Sequence, residues 1–418
     1  MRAEIITIGT EILLGQTTDS NSAWLGQHLN ASGVQVERIT SISDEPEAIV
    51  RALDAVPPSI DWVILTGGLG PTKDDLTKHV LCTYFGDHLV FRSDVYAHIE
   101  TLFASMGRVP NALNRPQAEL PAQAEIVSNA VGTAQGMLWT RGSQRFLAMP
   151  GVPYEMKHIM ETGILPRMKA ERNEIMVHRY FVVQGIPESD LALRLEGWEA
   201  ALRPPVSLAY LPSPGLVKLR LSILGPVAEE KTFQARIDEV AAELKELLGE
   251  DAYAETLTPL EEVIGQQLRA LGHRLGTAES CTGGAIAARI TSVAGSSAYF
   301  QGSVVAYANA VKQGILGVNQ ADLMVHGAVS EPVVKQMAAG LRKQLKVDWA
   351  IATSGIAGPD GGSAEKPVGT VWIAVAGPSY LWAERFQMGR DRGRVVQKTV
   401  LASLNALRKG LLAAAAPK

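Results

Sequence analysis

DWVILTGGLGPTKDDLT, from Asp61 to Thr77, passes from a short apolar run into a glycine-rich turn and on toward a helix. An apolar run of this length, closed by Gly and Pro, reads as a buried strand. The same unit repeats upstream. AEIITIG (Ala3–Gly9) and VQVERITSI (Val34–Ile42) read as strands, NSAWLGQHLNASG (Asn21–Gly33) as a helix stopped by Gly33, and EPEAIVRALDAV (Glu45–Val56) as a second helix. This strand–helix rhythm predicts a mostly parallel sheet with helices on both faces, a three-layer α/β domain. AEIVSN (Ala124–Asn129), GMLWT (Gly136–Thr140) and RFLAMPG (Arg145–Gly151) add strands, followed by a helix around Tyr154–Glu161.

Beyond the charged stretch MKAERNE (Met168–Glu174) the pattern changes. VHRYFVVQG, a helix near PESDLALRLEGW, the strands VSLAYL and LVKLRLSIL, and the helix AEEKTFQARIDEVAAELKELLG form a small βαββα unit. It carries no cluster of chemical groups and reads as a spacer or subunit contact. GEDAYAETLTP (Gly249–Pro259) reads as the next linker. The remainder is again α/β: strands in HRLGTAES, GSVVAYA, VDWAIATSG, GTVWIAVAG and YLWAERFQ, and helices in TGGAIAARIT, VSEPVVKQMAAGLRKQL and after Arg392. Ser330 is placed to cap the second of these helices, with Pro332 in its first turn. The expected domains are residues 1–170, 171–250 and 251–418.

The chain has 418 residues, 46% hydrophobic and 20% charged, which is a globular composition long enough for several cores. With 39 Lys and Arg against 43 Asp and Glu, the net charge of -4 argues against direct nucleic-acid binding. Cys82 and Cys281 are the only cysteines, too few for a disulfide scaffold or a cysteine zinc site. Glu4 and Glu11 interrupt the N-terminal apolar stretch, so it does not read as a signal peptide. No apolar run reaches the roughly 18 residues of a membrane span. The expectation is a cytoplasmic enzyme that does not engage membranes.

In the first domain, Gly67, Gly68 and Gly70 let backbone N–H groups approach an anion, and Lys73 can reach a phosphate. Asp74 and Asp75 would repel that phosphate unless a cation intervened, so the loop fits a metal-assisted phosphate site. It fits a tight turn with an acidic helix cap equally well. Glu11, Asp19 and Asn21 follow the first strand and Asp44 the second. Ligands of open α/β sheets gather at these strand ends.

In the last domain, TAESCTGG (Thr277–Gly284) places Ser280 in a turn between strand and helix. Backbone donors over Cys281, Thr282, Gly283 and Gly284 can stabilise an oxyanion beside it. A serine needs a base, and Lys312 in VAYANAVKQGILGV is the candidate, with Tyr307 and Asn309 in the same strand-to-helix turn. Lysine serves as a base only when its pKa is lowered. On spacing alone Ser280 also fits a helix cap, Lys312 a solvated side chain, and Cys281 a small buried filler. SGIAGPDGG (Ser354–Gly362) reads on its own as a Gly-rich loop.

These blocks also carry a resemblance. IGTEILLGQTTDSNSAWL, TGGLGPTKDDLT and AMPGVPYEM resemble the N-terminal domain of the CinA (competence/damage-inducible protein A) family, related to molybdopterin-binding domains. ESCTGG, AGSSAYF, YANAVK, GAVSEPVVKQMAAG and SGIAGPDGGSAEKPVGTV resemble its C-terminal domain, the PncC-type nicotinamide mononucleotide amidohydrolases. For the first domain the resemblance implies either a molybdopterin-like nucleotide pocket or ADP-ribose pyrophosphatase activity dependent on a divalent ion (Mg, Mn or Co). Asp44 and Asp75 match acidic positions of the molybdopterin-handling relatives, and Asp74 is typical of the CinA form. For the last domain it implies conversion of nicotinamide mononucleotide to nicotinate mononucleotide and ammonia without a cofactor. There Ser280 matches the nucleophile, Lys312 the base, and Tyr307 and Asn309 a YxN pair. The resemblance also implies a second wall at SGIAGPDGG, with Thr353, Gly355 and Gly358 near a bound ligand. GRDRGRVVQ (Gly389–Gln397) has one residue more than the family's usual run, leaving Arg390 and Arg392 both open for the substrate phosphate. Architecture and resemblance together imply a homodimer. The other reading is an accessory protein of competence or recombination whose first domain only holds a pterin or nucleotide.

Overall fold

The computed structural model describes residues 1–72 and 75–415. It divides into two compact units, one built from Met1–Val177 with Leu224–Gln234, the other from His178–Ile223 with Ala235 onward.

The first unit follows the predicted alternation: β1 (Arg2–Ile8), α1 (Ser20–Ala31), β2 (Gln35–Ile42), α2 (Pro46–Asp54), β3 (Trp62–Thr66) and α3 (Thr77–Phe85). After these come β4 (Glu125–Val127), β5 (Gly136–Arg141), β6 (Gln144–Met149) and α4 (Pro153–Ile159). The sheet order is β2-β1-β3-β6-β5-β4. Its first four strands are parallel, while β5 and β4 join antiparallel. Successive strand residues point to opposite faces, and here both faces are buried. Ile6, Ile8, Val63 and Leu65 pack with Ile49, Leu53 and Leu81. Ala3, Ile5, Trp62 and Ile64 pack with Leu25, Leu29 and Met156 on the other side. This is the expected three-layer arrangement.

MKAERNE departs from its reading as a break. Residues Leu165–Glu171 form α5, and Met168 is fully buried in the second of those clusters. The charges around it lie on the outer face of an amphipathic helix, which composition alone reads as a linker.

The small unit has the predicted order: β7 (Glu174–Gln184), α6 (Glu188–Ala201), β8 (Ser207–Ser213), β9 (Leu216–Pro226) and α7 (Glu230–Leu248). The segment read as a linker contributes one more strand, β10 (Ala252–Ala254), antiparallel to β7, so the sheet runs β8-β9-β7-β10. Three residues bounded by charge and Thr carry no periodicity to reveal it.

The last domain contains α8 (Leu260–Leu271), β11 (Leu275–Glu279), α9 (Ala285–Thr291), β12 (Phe300–Val305), α10 (Asn309–Gly314) and α11 (Gln320–His326). α12 (Glu331–Leu345), β13 (Trp349–Gly355), β14 (Thr370–Gly377), β15 (Tyr380–Gln387) and α13 (Arg392–Ala415) complete it. The sheet order is β12-β11-β13-β14-β15, with β11 parallel to both neighbours. Along β13, Trp349 and Ile351 meet the face covered by α8, α9 and α13. Ala350 and Ala352 meet α12 on the other. The alanines let α12 approach the sheet closely, so the two faces have different depths. Ser330 occupies the cap position of α12, but its hydroxyl donates to the Gly327 carbonyl (2.7 Å) and caps no helix N–H. Among the described residues no helix is long and apolar enough to cross a membrane.

Candidate active site

The parallel strand β11 ends at Glu279 between two neighbours, so the following residues emerge at the middle of the sheet's carboxyl edge. The Ser280 N–H donates to the Thr353 carbonyl at the end of β13 (3.0 Å). Its hydroxyl lies 3.2 Å from Lys312 Nζ. Lys312 sits in the short helix α10 and is only 1% exposed. Its Nζ also donates to the carbonyls of Ala306 (2.7 Å) and Tyr307 (3.1 Å), where the chain leaves β12. No carboxylate pairs with it among the described residues. Burial lowers the lysine's pKa below its ordinary value, opposed only by the nearby Cys281. Nζ thus faces three acceptors, Ser280 Oγ and the two carbonyls; on losing a proton it can keep both carbonyls and turn its lone pair to the serine O–H, as a general base requires.

Cys281 is not the nucleophile in this geometry. Its side chain joins an apolar cluster with Val371, Ile373 and Val395. Burial pushes the thiol up to about 12, so it stays protonated and unreactive at neutral pH.

Ser280 and Lys312 open into a cavity of about 240 Å³ that also meets Tyr307, Asn309, Ser354, Gly355 and Arg392. Tyr307 stands at the rim, 63% exposed. Arg392 opens α13, donates to the Gly358 carbonyl (2.8 Å) and lies 3.5 Å from the Tyr307 hydroxyl. Arg390 does not line the cavity, so of the two arginines left open by sequence only Arg392 faces it.

Several expected contacts fall elsewhere. Thr353 is fully buried and its hydroxyl pairs with that of Thr282 (2.9 Å). Alternation along β13 instead brings Ser354 to the cavity, the first residue of the loop expected as the second wall, though not itself among the expected ligand contacts. The Gly283 N–H bonds to the Ser280 carbonyl and the Gly284 N–H to Glu279 Oε2, so neither is free for an oxyanion. The amides of Cys281 and Thr282 make no such internal bond among the described residues. Gly358 contributes its carbonyl to Arg392.

In the first unit, Glu11, Asp44, Asp75 and the glycines 67, 68 and 70 share a cleft of about 390 Å³. Gly67 has a φ of 120°, and a Cβ there would stand 2.0 Å from the Ile8 carbonyl oxygen, so the loop admits only glycine. Asp19 and Asn21 do not line this cleft. Asp19 caps α1, accepting from the Ser22 N–H and the Thr7 hydroxyl (both 2.9 Å). Asn21 braces the sheet edge by donating to the Gly151 carbonyl (2.8 Å). Lys73 and Asp74 lie outside the described residues. Glu155, from AMPGVPYEM, is a lining residue the sequence reading passed over. It is buried, accepts from Asn129 Nδ2 (2.6 Å), and burial raises its pKa above the ordinary carboxyl range.

Of the carboxylates to which the resemblance assigns a divalent ion, Glu11, Asp44 and Asp75 line this cleft. Asp44 accepts the Thr10 N–H (2.8 Å) and Asp75 the Thr72 N–H (2.9 Å). Among the described residues no three His, Cys, Asp or Glu side chains converge on a common point.

Residues 4–170 match the family described as "Probable molybdopterin binding domain", 178–254 the "Damage-inducible protein CinA KH domain" and 257–411 the "CinA C-terminal domain". A CinA-like protein of Cytophaga hutchinsonii is 44% identical over 410 residues, covering 98% of each chain. One from Salinibacter ruber is 42% identical over 413 residues, covering 98% of this chain and all (100%) of its own. Among solved structures, a competence/damage-inducible protein of Agrobacterium tumefaciens is 38% identical over 38% of this chain and 99% of its own, with a TM-score of 0.36.

Proposed function

The chain belongs to the family of CinA-like proteins, and from that premise we propose that its last domain hydrolyses the carboxamide of nicotinamide mononucleotide. The observation that carries this reading is the contact of 3.2 Å between Ser280 Oγ and a buried Lys312 amine without an acidic partner. In the proposed reaction neutral Lys312 takes the Ser280 proton as Oγ attacks the amide carbon. The oxyanion lies against the unpaired amides of Cys281 and Thr282. Lys312 returns its proton to the leaving nitrogen, and ammonia departs. Water then attacks the acyl-serine, losing a proton to Lys312, which returns it to Ser280 Oγ as the C–Oγ bond breaks and nicotinate mononucleotide is released. Arg392, at the cavity rim, supplies a fixed cation for the phosphate.

Ammonia release from nicotinamide mononucleotide, with no added metal, tests the reading. The wild-type chain is expected to turn over and Ser280→Ala to be inactive. Arg392→Ala is expected to raise KM about 10-fold with kcat little changed, the pattern of lost uniform binding. Arg390→Ala leaves KM where it was. A folded wild type that releases no ammonia would overturn the proposal.

A second reading concerns the first unit, and rests on its glycine-walled cleft with Glu11, Asp44 and Asp75. We propose that this cleft takes a nucleotide such as ADP-ribose. The ion, were it bound there, would neutralise pyrophosphate charge; no step is derived through it. Incubation with ADP-ribose and Mg, Mn or Co is expected to yield AMP and ribose phosphate, lowered at least about 10-fold by Asp75→Asn. Binding without hydrolysis would make this unit a nucleotide- or pterin-holding module instead.

A further inference from the structure

Glu279 is fully buried, with 0% exposure, immediately before the nucleophile. Its carboxylate reaches across the turn to the start of α9. Oε2 accepts the N–H groups of Gly284 and Ile286 (both 3.0 Å), and Oε1 that of Ala287 (2.8 Å). The Thr277 hydroxyl lies a further 3.1 Å from Oε1. An ionised carboxylate is stable in the interior only with such a set of donors, and helix N-terminal N–H groups supply it. One side chain therefore closes Ser280–Gly283 into a loop tied at both ends, to β11 behind it and to α9 ahead.

This closure bears on both groups beside the cavity. It holds Ser280 Oγ at Lys312 from the α9 side, while the Ser280 N–H to the Thr353 carbonyl and the Thr282–Thr353 hydroxyl pair tie the loop to β13. It also puts a negative charge beside Cys281, whose side chain is packed against Gly355, and that charge disfavours the thiolate.

We propose that Glu279 is a positioning residue, which occupies the donors of the following helix so that Ser280 is held against Lys312 and the adjacent thiol stays out of the chemistry. The proposal rests on the amidase reading for its turnover arm alone. Glutamine at this position keeps the shape but turns an NH₂ toward N–H donors, leaving at least one of them unpaired and the helix end uncompensated. Aspartate keeps the charge but is a methylene too short to reach all its partners.

The test uses the full chain, with Glu279→Gln and Glu279→Asp assayed in two ways. For turnover of nicotinamide mononucleotide, both variants are expected to lose kcat, on the order of 100-fold for Gln, with KM within about threefold. For alkylation by iodoacetamide, followed residue by residue by mass spectrometry across pH, Cys281 is expected to react at least about 10-fold faster in Glu279→Gln, with its pH midpoint lowered. In Glu279→Asp it stays as unreactive as in the wild type. Cys82, buried in the first unit, serves as the control for general loosening. Should Glu279→Gln fail to fold, the Asp variant decides between loss of turnover with a silent Cys281, as expected, and wild-type turnover, which overturns the proposal. Wild-type kcat together with a wild-type Cys281 profile in Glu279→Gln also overturns it. A wild-type chain that releases no ammonia would instead defeat the amidase reading, and the alkylation profiles would still decide the role of Glu279.

Discussion

Lys312→Met is expected to lower ammonia release by on the order of 10³-fold or more while leaving the fold intact. Methionine fills the same buried channel and removes only the amine, which holds three contacts: Ser280 Oγ and the carbonyls of Ala306 and Tyr307. The loss exceeds that of an ordinary hydrogen bond because, among the described residues, no His, Asp or Glu lines the cavity beside Ser280. Lys312→Arg makes the complementary point. It keeps a cation but cannot give up its proton, so it is expected to be inactive at every pH. For the wild type the sign follows from burial. The reactive form is the neutral amine, so activity is present above the pKa of Lys312 and is lost as pH falls through it. Desolvation lowers that pKa, so the acid limb of the kcat/KM profile lies at lower pH than a solvated lysine would place it. A profile still rising toward the range of an exposed lysine would contradict this assignment.

Gly340→Ala is expected to be strongly destabilising for the last domain. Gly340 lies within α12, and a Cβ there would stand 1.8 Å from the carbonyl oxygen of Leu316 and 2.8 Å from its carbon. Backbone cannot yield as a flexible side chain does, so α12 and the segment through Leu316 must separate. That segment directly follows α10, whose Lys312 carbonyl accepts the Val318 N–H (3.0 Å). Overpacking of this kind costs about 3 kcal/mol, or roughly 6–12 °C in Tm for a unit of this size. Activity should fall with it, because the displacement is transmitted to Lys312. Thermal unfolding followed with and without the substitution checks the first effect. Turnover measured well below the melting range checks the second. A variant with unchanged Tm would show that α12 does not rest on Leu316 as described.

Most of the secondary structure was readable because it depends on near neighbours. Apolar runs such as Ile5–Ile8 and Val63–Leu65, stopped by glycines, fold as parallel strands wherever helices cover both faces. The pairing of Ser280 with Lys312 could be suspected from residue type, though not distinguished from a helix cap and a surface lysine. The misplaced readings have local causes. Asp19 and Asn21 lie at the start of α1, where capping and bracing absorb their polar groups, and Thr353 lies near the end of β13, where a shift of one residue reverses the face. The strand β10 and the buried Met168 were hidden for the opposite reason, since a short strand and the exposed face of a terminal helix look alike in composition.

What the sequence determined by itself was local: where strands and helices run, which turns require glycine, and which side chains are chemically able to act as nucleophile, base or cation. The tertiary structure alone decided which of them act together. Lys312 is placed to serve as a base only because β12 and α10 bury its amine 3.2 Å from Ser280. Glu279 becomes the tie of the nucleophile loop only because α9 turns its N–H groups back upon it. Protonation state and hydrogen-bond partnership depend on desolvation and on groups distant in the chain, and neither is encoded in the spacing of residues along it.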